Sequence, residues 1–151
     1  MKNLSTRNVP RKAQGGIAVE MAIVLPIMVM LLTSLIWFAQ VFWYYGVMQK
    51  AAYDAARFLS TATPVEITRP GAGNTAAPIA QLAKAIAEER TSIMNHIQEV
   101  KFVDVQCDFG TCGISVPVTV RVAIRMRMPF PIFEESSLML TSDVTMRYAG
   151  N

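Results

Sequence analysis

The chain has 151 residues, room for about one domain, and is 52% hydrophobic against 17% charged. That shift toward apolar composition is what a membrane segment produces. The formal net charge of +3 is set by the N-terminus: without Lys2, Arg7, Arg11 and Lys12, ten Lys and Arg face eleven Asp and Glu, which removes the basis for a nucleic-acid partner.

The first nineteen residues hold those four cations and no acid. They lead through the pair Gly15–Gly16 to Glu20, after which residues 21–49 form an uncharged stretch of 29. A span needs roughly 20 apolar residues, and a secretory signal core is shorter, about 7–15 residues, with a small-residue cleavage site behind it. No such site follows at the right distance, so the pattern predicts one transmembrane helix. The positive-inside rule puts its N-terminus in the cytoplasm and its C-terminus outside.

The run does not end in a loop. "MQKAAYDAARFLSTA", residues 48–62, continues with alanine-rich helix formers and no Gly or Pro, which predicts one helix over about 16–62. At 1.5 Å per residue it would be roughly 70 Å long, more than a bilayer core of about 30 Å can hold. Pro26 removes a backbone hydrogen bond inside it and predicts a kink. The aromatic cluster Trp37, Phe38, Phe42, Trp43, Tyr44 and Tyr45 reads either as an interfacial belt or as a packing surface for other helices.

Residues 63–78 carry three prolines and two glycines and read as a linker or loop. Residues 79–100 predict a second helix, with Ile79, Leu82, Ala83, Ile86, Ile93, Ile97 and Val100 on one face. The period then becomes two. In "ISVPVTVRVAIRMRM" every even position from Ile114 to Met128 is apolar, which predicts a strand with Pro117 at an edge or bulge. Val103, Val105 and Cys107 suggest a shorter strand before it. Leu138, Leu140, Val144, Met146 and Tyr148 suggest a third after a loop in which Phe130, Ile132 and Phe133 cover a core edge. The simplest packing is an α+β head, residues 79–151, with an antiparallel sheet of about three strands and helices on one face.

"CDFGTC" holds both cysteines, Cys107 and Cys112. Outside the membrane a disulfide persists, and a zinc site would need ligands beyond the sole histidine, His96. No cofactor or metal is expected. Nor is catalysis: the chain lacks a Ser/His/Asp set, a metal cluster and a phosphate loop. "DFG" at 108–110 stands without the rest of a kinase, and Glu88–Glu89 and Glu134–Glu135 are adjacent pairs that diverge.

The segments "GGIAVEMAIVLPIMVMLL" at 15–32, "MQKAAYDAARFLST" at 48–61 and "TSDVTMRYAG" near the end resemble type IV pilin-like proteins, and more narrowly the TadE-like pseudopilins of the Tad/Flp tight-adherence system. The first segment is the most specific, and residues 63–136 add little. The resemblance implies a bacterial inner-membrane protein that takes part in building an adhesive pilus. Its partners would be other pilin-like subunits and the pilus assembly platform. It also implies removal of a leader, residues 1–15, by a prepilin peptidase that cuts after a glycine and leaves glutamate fifth in the mature chain. A cut between Gly15 and Gly16 makes Glu20 fifth; a cut after Gly16 makes it fourth. The family commonly has an aromatic next, where this chain has Met21. Glu20 then has two readings: an assembly contact with a new α-ammonium, or a carboxylate solvated at the membrane boundary. Beside the pilus reading stands another, a single-pass anchor carrying an extracytoplasmic binding or scaffold module.

Overall fold

The computed structural model describes residues 14–73, 75–94, 102–108, 110–130 and 136–150. In chain order these form α1 (Gln14–Ser60), α2 (Pro64–Thr68), α3 (Pro78–Arg90), a 3-10 turn (Ser92–Met94), β1 (Phe102–Cys107), β2 (Thr119–Pro129) and β3 (Ser137–Arg147). A long apolar N-terminal helix followed by a small domain with a helix and a three-stranded antiparallel sheet is the architecture expected from the pattern. Two compact units divide within α1, between Ala39 and Gln40.

In the first unit α1 is a bare apolar surface. From Val19 to Ile36 its large hydrophobic side chains are between 43% and 64% exposed. Its most apolar 18-residue window has mean hydropathy 2.4 and is only 6% buried. A core helix of a soluble domain of like hydropathy would be mostly covered, so lipid is the medium in which this surface is stable. The two hydroxyls of the span fit that medium. Thr33 Oγ1 donates to Val29 O at 2.8 Å and Ser34 Oγ to Leu31 O at 2.8 Å, so neither meets lipid unpaired. Pro26 lies inside the helix without ending it.

Within the second unit α1 turns small. Met48, Ala51, Ala52, Ala55, Ala56 and Leu59 are at most 1% exposed, a face at helical spacing whose missing side-chain bulk permits close backbone approach. Leu59 joins Ile67, Ala77, Ala80, Ala83, Cys107, Cys112 and Val120 in one cluster that ties together stem, α3 and sheet. Two bonds fasten the C-terminus to the same place: Tyr148 Oη donates to Ala62 O at 2.7 Å, and Ala149 N to Ser60 O at 3.0 Å.

The sheet order is β1-β2-β3, with Val105 opposite Val122 and Val122 opposite Val144. From Val120 to Met128 the even residues of β2 are at most 3% exposed, as period two requires. Three expectations fail in part. The strand starts at Thr119, and Ile114, Val116 and Val118 are 83%, 52% and 66% exposed. Pro117, just ahead of the strand, has no N–H to donate to a ladder, and Asp108 takes the backbone N–H groups of Val118 and Thr119. The helix expected over 79–100 stops at Arg90, because buried Thr91 turns its hydroxyl back onto Ala87 O and Glu88 O. Its buried face is Ala80, Ala83 and Ala87, while Leu82 and Ile93 are exposed at 50% and 65%. Ala83 belongs to the expected face, while Ala80 and Ala87 do not; small residues let a helix lie close to its neighbours. The linker contains α2, capped reciprocally: Glu66 N donates to Thr63 Oγ1, and Thr63 N donates to Glu66 Oε2 at 3.0 Å. His96, Ile97, Val100, Ile132, Phe133, Glu134 and Glu135 lie outside the described residues, as does the leader up to residue 13.

Candidate functional site

Gly15, Gly16, Glu20, Met21 and Pro26 all lie on α1. A β-carbon at Gly16 would meet nothing within 4 Å, so close packing does not call for a glycine there. Two successive glycines near a helix start lower the cost of opening that turn, by about 1 kcal/mol each relative to alanine. Glu20 is exposed and Met21 is 62% exposed, at the head of the exposed apolar surface. Gly16 and Glu20 are four residues apart, one helical turn, about 6 Å along the axis. A positive group at the nitrogen of Gly16 would therefore lie on the face of α1 that carries the Glu20 carboxylate.

Of the aromatic cluster, Trp37 is buried, whereas Phe38, Phe42, Trp43 and Tyr45 are exposed at 52%, 72%, 53% and 40%. The rings of Trp43 and Tyr44 sit 5.0 Å apart, tilted. Large aromatic surface is thus presented outward where the bare span gives way to the packed stem.

The two cysteines belong to the second unit and are bonded, with their Cα atoms 5.0 Å apart. Chain entropy gives a loop this short about 2 kcal/mol of stabilisation. The loop is held again by Asp108, which adopts φ 48°, a left-handed conformation that Asp tolerates better than most residues. Its carboxylate accepts from Val118 N and Thr119 N at 2.7 Å each and from Thr119 Oγ1 at 2.9 Å. Bonds from those two backbone N–H groups hold its pKa below the usual carboxylate value. Ala77 N, at the cap of α3, donates to Cys112 O at 2.9 Å. At φ 119° Gly113 holds a conformation that other residues rarely adopt, and a β-carbon would sit tightly, 3.3 Å from Ala77 N.

Two of these contacts had a readable signal. "TPVE" at 63–66 is a capping-box pattern, and an Asp beside a cysteine loop invites a search for backbone donors. Tyr148 had none. Its hydroxyl, pushed up in pKa first by burial and then by the charge of Glu66, bonds across 86 residues of sequence.

The site therefore consists of a helix start with paired glycines, an acid one turn on, and an unbroken apolar surface behind it. Residues 15–57 match the family model described as TadE-like protein. Over that segment the chain is similar to TadE-like proteins. The match runs from the glycine pair through the span to Arg57 in the alanine-rich stem, so it covers the first segment that carried the resemblance and the second as far as residue 57, and leaves the head outside. Comparisons with curated proteins and with solved structures gave no match.

Proposed function

We propose that this TadE-like protein is a membrane-anchored pseudopilin that takes part in assembling an adhesive Tad/Flp-type pilus. The observation that carries the reading is the coincidence, inside the TadE-like segment, of Gly15–Gly16, Glu20 and an exposed apolar helix surface. The basic leader stays in the cytoplasm and the head faces outward. A prepilin peptidase cuts between Gly15 and Gly16, and the glycines let the backbone open into its cleft. The new α-ammonium of Gly16 then pairs with Glu20, in the same chain or in a neighbour's. A carboxylate in hydrocarbon costs about 2.5–3.5 kcal/mol on insertion scales, so a cationic partner supplied by another subunit favours docking. The protein is a substrate of processing and performs no catalysis itself.

Mass spectrometry of the N-terminus tests this directly. In cells that contain the peptidase, the mature chain is expected to begin at Gly16. An intact Met1 there would leave a single-pass scaffold as the better description.

A further inference from the structure

We propose that the Cys107–Cys112 disulfide is a redox-sensitive tether: it couples the start of α3 to the sheet, it closes while the head is still open, and the folded head then shields it from thiol reductants. This concerns the second unit alone and does not depend on pilus assembly. The loop from Cys107 to Cys112 is held unequally at its two ends. On the Cys107 side the chain is fixed without the sulfur. Cys107 lies in β1 opposite Val120, and its N–H donates to Gly110 O at 2.8 Å. Asp108 N donates to Thr119 O at 3.1 Å, and the Asp108 carboxylate adds its three bonds to Val118 and Thr119.

The Cys112 side has far less. Among the described residues the backbone of Cys112 makes one hydrogen bond, accepted from Ala77 N at 2.9 Å. Ala77 is the N-cap of α3, and its methyl group cannot cap. It is fully buried, and its carbonyl accepts the first bonds of the helix, from Ala80 N at 2.9 Å and Gln81 N at 3.1 Å. The link from sheet to helix start therefore runs from Cys107 through two sulfurs to Cys112 O and Ala77 N. With the sulfur–sulfur bond cut, Cys112 is fixed by packing and by that single bond. A buried N–H that loses its acceptor carries the full desolvation cost, so the first turn of α3 is where the head opens. The ladder of β2 and β3, paired over its whole length, does not follow.

Burial decides the order of events. Cys107 and Cys112 are 8% and 2% exposed, within the cluster that includes Leu59, Ile67, Ala77 and Val120. Exchange requires a thiolate to reach a sulfur, and a closed cluster denies that approach to oxidant and reductant alike. Closure by a disulfide-bearing oxidant therefore takes place on the open loop. One cysteine thiolate attacks a sulfur of the oxidant and expels its partner thiol. The second cysteine thiolate then attacks the mixed disulfide and expels the other. Two electrons and two protons pass from the cysteines to the oxidant, which ends as two thiols.

The test uses the full chain in detergent micelles, with hydrogen exchange read by mass spectrometry over residues 77–83, 119–129 and 137–147. The oxidised chain is compared with a chain unfolded, reduced and refolded in a phosphine, and with the double variant Cys107→Ser, Cys112→Ser. Exchange over 77–83 is expected to be about thirtyfold faster without the bond, the factor that chain entropy assigns to so short a loop, with little change over the two strands. Unchanged exchange at 77–83 would overturn the tether, since Ala77 would then be held without it. An equal rise in all three segments, or loss of all protection, would make the disulfide a staple of the whole head and would overturn it too. For the shielding, free thiols are counted by alkylation during treatment with dithiothreitol, and during reoxidation of the reduced chain by oxidised glutathione. Both reactions are expected to be slow in the folded chain and to accelerate in mild urea. Reaction of the folded chain as fast as that of a peptide spanning residues 105–114 would overturn the shielding.

Discussion

Glu20 and Asp108 are both exposed carboxylates, and their surroundings give them opposite kinds of work. Asp108 is engaged inside its own chain by three donors, so its value is structural and depends on pH. Its folded pKa is depressed, so its contribution is complete above the unfolded value of about 3.9 and is lost as pH falls through the lower folded value. Acid titration of unfolding should show this loss below about pH 4, and Asp108→Ala should remove it while lowering stability at neutral pH. Glu20 has no such internal partner in the pilus reading until the leader is gone. Glu20→Ala is accordingly expected to leave insertion normal and to cut pilus output several-fold, read by shearing and quantifying surface fibres. Undiminished output would end the docking role.

At the scale of elements, the helix α1 changes character without changing conformation. Its first half is bare and apolar and one face of its second half is buried in the head, and the change follows side-chain size: Leu, Ile, Val and Met give way to Ala. Overpacking is the sensitive probe of that second half. Ala55→Leu, at a site with no exposure, should destabilise the head by about 1–3 kcal/mol, while Tyr53→Ala, 49% exposed, should change little. Denaturation followed by circular dichroism in detergent separates the two. The period-two pattern was legible in β2 because burial on one face demands alternation, and Val120 to Met128 obey it. It misled at Ile114, Val116 and Val118, which alternate as a strand would but precede the ladder. In α3 Ala83 lies on the expected face and is buried, whereas Ala80 and Ala87, equally buried, are too small to stand out beside Leu82 and Ile86.

For the whole molecule, the membrane reading makes the two compact units live in different solvents. Proteolysis of intact spheroplasts should remove the head and spare a fragment containing the span. If the head is attacked only in inverted vesicles, the orientation inferred from Lys2, Arg7, Arg11 and Lys12 is reversed.

The sequence by itself determined the apolar span, its prolongation into a stem, the three-stranded sheet and the TadE-like N-terminal segment. The first three follow from hydropathy, charge and periodicity and the last from a likeness to a known family; all are properties of consecutive residues. Only the tertiary structure decided that α3 buries alanines, that Asp108 secures the start of β2, that Tyr148 reaches Ala62, and that Cys112 meets Ala77 at the start of α3. Each of those depends on contacts between residues distant in the chain, whose geometry is set by how the elements pack.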